Sequence, residues 1–157
     1  MFLNRQSSTV NVSAHQAPSA LLLLRIAIAF VFITEGIEKF LDPEALGVGW
    51  FTKIGIPYPD ILAPFVGGVE IAGAALVLIG LYTRLAAFAL VIDMGVAITA
   101  TRLPVLLGYG FWGFPAPTGA TGFWPAAHDA RLDIMMLFGC LLLLAIGPGK
   151  ASFDQRG

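Results

Sequence analysis

Three ionisable residues lie inside long apolar stretches of this sequence: Arg25, Glu70 and Asp93. A charge near the centre of a bilayer is costly unless it faces protein or water, so these side chains should point into a helical bundle. At a rise of 1.5 Å per residue, Arg25 is displaced along the membrane normal by about 6 Å from Asp93 and about 8 Å from Glu70. The sequence therefore predicts one buried polar or ligand-binding cluster of Arg25, Glu70 and Asp93.

Two explanations of this cluster remain open. With two carboxylates near a single cation, one carboxylate becomes a candidate to hold a proton at neutral pH, which suits proton transfer or ligand binding. The alternative is a buried ion pair that fixes the register of the helices. Buried ion pairs are weak stabilisers because desolvation offsets their attraction, which favours the functional explanation.

A second group is predicted near the opposite face of the membrane. This outer-mouth cluster consists of Glu35, Lys39, His128 and Asp133. Glu35 and Lys39 stand in the favourable i, i+4 order, and histidine is the residue type that most readily changes its charge near physiological pH. The alternative is capping and snorkelling at the membrane interface. No spacing typical of metal ligands is present, so the sequence predicts no metal site.

The composition identifies the kind of element that must hold these residues. Hydrophobic residues make up 57% of the 157 positions and charged residues 12%, and the mean hydropathy is +0.83. Soluble domains carry about 25% charged residues, so this composition is typical of an integral membrane protein. A net charge of −1 without a basic patch gives no indication of nucleic-acid binding. The single cysteine, Cys140, is expected to be a buried, inert thiol.

The apolar stretches predict an all-α integral membrane four-helix bundle, because only helices or closed barrels satisfy their backbone in lipid. The predicted spans cover about residues 19–40, 60–82, 84–103 and 129–146, within a membrane domain of residues 19–150. Residues 1–18 are predicted to be a flexible polar tail, and residues 151–157 a C-terminal tail. Five basic residues on the side of the termini against four on the other side favour cytoplasmic termini.

Two long links join these spans. Residues 41–58 carry apolar residues at helical spacing, which predicts a short helix in the membrane interface. Residues 104–127 are rich in aromatic residues, glycine and proline, which predicts an aromatic cap over one mouth of the bundle. No phosphate-binding loop, dinucleotide fingerprint, haem attachment site or nucleophile elbow is present in the sequence. We therefore expect no covalently bound cofactor and no self-contained catalytic motif.

Several short motifs occur in a fixed order along the chain: LLLLRI, EGIEKF, GIPYP, VGGVEIAG, GLYTRLAA and GPGKASFD. With this order and spacing, residues 21–154 resemble the DoxX family of small bacterial membrane proteins. The resemblance implies a four-span bundle in the inner membrane. Some relatives are linked to quinone-dependent oxidation of thiosulfate, and others are described as membrane parts of oxidoreductase assemblies that handle oxidative or thiol stress.

Three functional hypotheses follow. The first is a membrane subunit or accessory of a quinone-linked oxidoreductase, with the redox centre in a partner protein and a quinone as the expected ligand. The second is a non-catalytic anchoring or assembly subunit, and the third is a small proton-coupled transporter. The expected partners are the lipid bilayer and either a protein of a membrane redox complex or a second copy of this chain.

Overall fold

The computed structural model describes residues 17–149 and 151–155. The predicted flexible tail lies outside the described residues as far as residue 16, and the first helix already begins at Ala17. The helices are α1 (Ala17–Leu41), α2 (Val48–Lys53), α3 (Pro59–Ile79), α4 (Thr83–Ala97), α5 (Leu103–Leu107) and α6 (Phe123–Ile146). A π-helical segment, Ile98–Arg102, joins α4 to α5, and a short 3₁₀ turn covers Phe153–Gln155.

Within the described ranges, three helices are long and apolar enough to cross a membrane: Ala20–Leu41, Pro59–Ile79 and Thr83–Leu107. The all-α membrane bundle predicted from the sequence is confirmed. Helix α6 begins at Phe123 rather than near residue 129, and its first half carries several charged residues. Its 24 residues extend about 36 Å, and the prediction that it crosses the membrane stays a prediction.

The four long helices enclose one apolar core. Helix α1 packs mainly along α3, α3 packs on α4, and α4 packs on α6. The fully buried residues at the centre come from all four helices: Ile28, Phe32, Ala74, Val77, Ala87, Leu90, Cys140 and Leu143. The thiol predicted to be buried is therefore part of this core.

Small residues bring α1 and α3 into close contact. A Cβ atom placed on Gly36 would lie 2.8 Å from the carbonyl oxygen of Gly67 and 2.8 Å from Cγ1 of Ile71. On the facing helix, a Cβ on Gly67 would lie 2.8 Å from the ring of Phe40 and 3.1 Å from the carbonyl oxygen of Gly36. Small residues at such positions allow two membrane helices to approach backbone to backbone.

We expect Gly36→Ala to destabilise the protein by about 1–3 kcal/mol, because the added methyl group must push a backbone carbonyl of α3 away. Gly68→Ala is the matched control, since a Cβ there meets no atom within 4 Å and should change stability by less than about 0.5 kcal/mol. Reversible unfolding in mixed detergent micelles measures both variants. Equal stability of the two variants would contradict the close packing of α1 on α3.

The third predicted span is interrupted by the π-helical segment. The N–H of Leu103 donates to the carbonyl oxygen of Ile98, five residues earlier, as in a π-helix. Pro104 follows directly, and it lacks the N–H that an α-helix would direct at the carbonyl of Ala100. The wider turn accommodates the proline inside a continuous helix, and it places Thr101 and Arg102 on the wall of the internal cavity described below.

The two long links also contain local structure. The link between α1 and α3 contains the short helix α2, as predicted for this region, with the Phe51 side chain buried. In the aromatic-rich segment, residues 104–107 and 123–127 are helical, and an isolated pair of backbone hydrogen bonds joins Phe111 and Phe114. This segment touches the first link, because a Cβ on Gly55 would lie 3.2 Å from Pro115.

Candidate functional site

A cavity of about 380 Å³ lies between the helices of the bundle. Its walls come from α1, α2, α3, α4 with the π-helical segment, and α6, and most of the lining side chains are apolar or aromatic. Six charged side chains also line it: Glu35, Lys39, Glu70, Asp93, Arg102 and Asp133. A mostly apolar cavity with a few converging polar groups is the usual form of a small-molecule site.

Glu70 lies at the centre of this polar group. It occupies the middle of α3, and only 3% of the residue is exposed, as its position among small residues predicts. The Lys39 ammonium lies 2.8 Å from Oε1 and 2.7 Å from Oε2 of Glu70. Only Oε1 accepts a directed hydrogen bond, so the contact with Oε2 is ionic. The ion pair joins α1 to α3, and Lys39 is itself largely buried.

Asp93 of α4 brings a second carboxyl group to Glu70. The two side chains are near enough to interact directly, and both interact with the charge of Lys39. Oδ2 of Asp93 is buried without a hydrogen-bond partner among the described residues. A buried acceptor without a partner is costly, so this oxygen is positioned to receive a proton or a ligand donor.

The remaining charges form separate pairs. Nε of Arg102 donates to Oδ2 of Asp133 at 2.7 Å, which joins the π-helical segment to α6. Arg131 contacts the His128 ring at 2.6 Å on the exposed side of α6. Of the predicted outer-mouth cluster, the structure thus brings Glu35, Lys39 and Asp133 to the cavity, whereas His128 lies apart with Arg131.

Arg25 does not join Glu70 and Asp93. Although only 1% of Arg25 is exposed, its guanidinium group binds backbone carbonyls at the other end of the bundle. Nε donates to Val77 at 2.7 Å, Nη2 donates to Leu78, and Nη1 donates to Pro148 and Ala151 at 3.3 Å and 2.8 Å. Two of these carbonyls, those of Val77 and Leu78, belong to the last turn of α3, where the usual N–H partner four residues later is lacking. The Val77 carbonyl also accepts a hydrogen bond from the Gly80 N–H at 3.2 Å. The structure therefore corrects the predicted cluster, in which Lys39 takes the place of Arg25.

The chain beyond Gly147 supplies the other partners of Arg25. Asp154 accepts hydrogen bonds from the backbone N–H groups of Tyr82 and Thr83 at 2.8 Å and 2.9 Å, at the start of α4. These N–H groups, Thr83 first, hold the pKa of Asp154 below its ordinary value. Gly80 permits the close approach, since its φ is +74° and a Cβ would lie 2.4 Å from Ser152. The predicted C-terminal tail is thus attached to the bundle over residues 151–155.

Sequence reasoning missed two contributors to the cavity. Lys39 was expected to lie beside Glu35 at a helix end. In the structure the link between α1 and α3, which contains α2, lines the cavity together with Lys39, and the Lys39 side chain is largely buried. Arg102 was not among the predicted site residues, but it lies in the π-helical turn and lines the wall of the cavity. The proline two residues after Arg102 was the available signal, because a proline inside a helix displaces the turn before it.

The helical bundle and the buried acid pair define a small membrane protein with an internal, charged cavity. Comparison with known proteins gives the family: the DoxX family model matches residues 20–103, and the chain belongs to the DoxX family. The matched range contains every charged residue of the cavity except Asp133.

Three relatives are informative. An uncharacterized membrane protein of Mycobacterium tuberculosis is 45% identical over 141 residues, covering 90% of this chain and 83% of the relative. The inner membrane protein YphA of Escherichia coli is 30% identical, covering 88% of this chain and 91% of the relative. The protein named "Putative oxidoreductase CatD" of Bacillus subtilis is 30% identical over 82 residues, covering 52% of this chain and 59% of the relative. No solved structure matches the chain significantly.

Proposed function

We propose that this DoxX family protein is a membrane subunit or accessory of a quinone-linked oxidoreductase in the bacterial inner membrane, with the redox centre in a partner protein. Its termini face the cytoplasm in this proposal. One observation carries it: a buried carboxyl oxygen of Asp93, which has no hydrogen-bond partner in the part of the chain that the structure describes, lies in the same mostly apolar cavity as Glu70. Such a site suits an apolar ligand that carries a few hydrogen-bonding oxygens.

The charges of the cavity favour a neutral ligand over an anion. Four carboxyl groups and two cations line it, and each cation is already paired with one carboxylate. A quinone, when bound, accepts two electrons and two protons. In our proposal the partner would supply both electrons and Lys39 would donate a hydrogen bond to a quinone carbonyl. The pair Glu70 and Asp93 would hold one proton at a time and deliver two in succession, the second being taken up from solvent after the first has been transferred.

The names of two relatives support this assignment. CatD is named as an oxidoreductase, although it matches only about half of this chain. YphA is named as an inner membrane protein and matches most of the chain, including the part that supplies the cavity. The name of YphA supports the inner membrane as the location, and the name of CatD supports a role in redox chemistry.

Binding of a quinone analogue tests the proposal. Purified protein in lipid nanodiscs is titrated with a benzoquinone that carries one isoprene unit, and binding is followed by quenching of tryptophan fluorescence. We expect Glu70→Gln and Asp93→Asn each to weaken binding by about tenfold or more, because each removes a carboxyl group of the pair that shares its proton with a quinone carbonyl. Glu38→Gln is the control, since Glu38 is exposed on α1 and does not line the cavity. Unchanged binding in both cavity variants would overturn the proposed site.

A specific surface favours the second function, a non-catalytic anchoring subunit. Trp112 and Trp124 are 84% and 80% exposed, and both lie at the aromatic-rich segment. Large exposed aromatic side chains are frequent at protein interfaces and also at the membrane surface. Under this function, a stoichiometric protein partner should co-purify from native membranes and be lost from the double variant Trp112→Ser, Trp124→Ser. Quinone binding should then be absent from the purified protein.

A further inference from the structure

A second concave surface lies on the outer face of α4, next to the cavity. This groove has a volume of about 530 Å³ and is lined by Ile92, Gly95, Val96, Thr99, Trp112 and Phe114. Val96, which is 48% exposed, lines both the groove and the cavity, so the two spaces lie on either side of this one side chain. Ile92 on the groove directly precedes Asp93 in the cavity.

We propose that the groove binds the apolar isoprenoid tail of a membrane-dissolved quinone whose headgroup occupies the cavity. The proposal rests on the proposed function and deepens it, because it assigns a long-tailed ligand and a second binding surface. The tail would leave the cavity past Val96 and lie on α4 beneath Trp112 and Phe114.

The surface of the groove suits a hydrocarbon chain. A Cβ on Gly95 would meet no atom within 4 Å, so the helix leaves open space at the centre of the groove. The Thr99 hydroxyl donates to the carbonyl oxygen of Gly95 at 2.7 Å, so both polar atoms are satisfied inside the groove. Ile92, Val96 and Trp112 remain largely exposed and can bury apolar surface when a ligand binds.

A phospholipid acyl chain would find the groove equally apolar, but it would bring no headgroup to the cavity. Only a ligand whose polar end is uncharged and compact can place that end beside Glu70 and Asp93 while its tail passes Val96. The position of Val96 between the two spaces therefore favours a quinone over a bulk lipid, and a passage beside this side chain predicts that the affinity depends on tail length.

The experiment compares two quinone analogues with the same headgroup, one with a single isoprene unit and one with a ten-carbon chain, in nanodiscs of fixed lipid content. Gly95→Leu fills the groove, and Gly68→Leu is the matched control at an exposed glycine of α3 with equal open space. We expect the wild-type protein to bind the longer analogue at least about tenfold more tightly, and Gly95→Leu to abolish this advantage. Partitioning of the tail into lipid is equal for the variants and cancels in the comparison.

Trp112→Ala provides a second variant, because its side chain is exposed and its removal shortens the wall of the groove without disturbing the core. We expect this variant to reduce the advantage of the longer analogue, and thermal unfolding to match wild type. If Gly95→Leu and Gly68→Leu behave alike, the groove does not bind the tail, while headgroup binding that depends on Glu70 still supports the proposed function. If neither analogue binds, both proposals are overturned.

Discussion

Arg25→Met is expected to destabilise the protein by about 3–5 kcal/mol, because it removes every donor of a guanidinium group that binds four buried or partly buried carbonyls. Methionine fills similar volume, so little of the loss comes from an empty space. The cost of the substitution is the loss of a charged donor to the carbonyls of Leu78, Pro148 and Ala151, and to that of Val77, which keeps only its hydrogen bond from the Gly80 N–H among those of the described residues. The measurement is unfolding in mixed detergent micelles, followed by circular dichroism.

Two further variants separate this effect from a general loss of charge. Arg84→Met removes another arginine at the same end of the bundle. Arg84 is exposed and donates a long hydrogen bond of 3.4 Å to the carbonyl oxygen of Ala145. We therefore expect Arg84→Met to lower the free energy of unfolding by less than about 1 kcal/mol. Arg25→Lys should be intermediate, since a lysine ammonium cannot reproduce the flat fork of donors. If Arg25→Met and Arg84→Met lose equal stability, Arg25 does not hold the C-terminal segment.

Lys39→Met is expected to cost a similar amount, about 3–5 kcal/mol, for a different reason. It leaves the buried Glu70 carboxylate without its counter-charge, and removing one partner of a buried ion pair is strongly destabilising. The negative charge of Asp93 nearby increases the penalty. Thermal unfolding in detergent, compared with wild type under identical conditions, measures the loss.

The double variant Lys39→Met, Glu70→Gln tests whether the loss of stability comes from the unpaired charge of Glu70. Neutralising Glu70 removes the isolated charge, so the double variant should be more stable than Lys39→Met alone by about 1–3 kcal/mol. Lys53→Met is the matched control, because Lys53 is exposed on α2 and faces only the Trp50 ring at 5.5 Å. A double variant no more stable than Lys39→Met would show that the ion pair does not hold α1 to α3.

The helices could be predicted from the sequence because hydropathy and length act locally. The spans that begin near residues 19, 60 and 84 need only a long apolar stretch and a turn at each end, and Gly80 with the following residues supplies such a turn. Glu70 could be predicted to be buried, since small residues surround it along one helical face. These predictions depend only on residues close to one another in the sequence, and such residues remain close in space within one helix.

Partners across helices could not be predicted in the same way. Counting residues gives the depth of Arg25 but not the direction of its side chain, nor the return of the chain after Gly147 that brings Pro148 and Ala151 to it. Lys39 was assigned to the outer-mouth cluster beside Glu35, but in the structure it is largely buried and paired with Glu70, in a cavity that the link between α1 and α3 helps to line. Long links thus decide which charges meet, and their path depends on packing rather than on local pattern.

The hydrogen bonds of Arg25 to the C-terminal segment have a consequence for the order of folding during synthesis. Its partners Pro148 and Ala151 lie 123 and 126 positions later in the chain. During synthesis from the N-terminus, α1 must therefore reach the bilayer with its positive group still lacking those carbonyls. The contacts of Arg25 with Pro148 and Ala151 can therefore form only after residue 151 has been synthesised, whereas those with Val77 and Leu78 can form as soon as α3 is present.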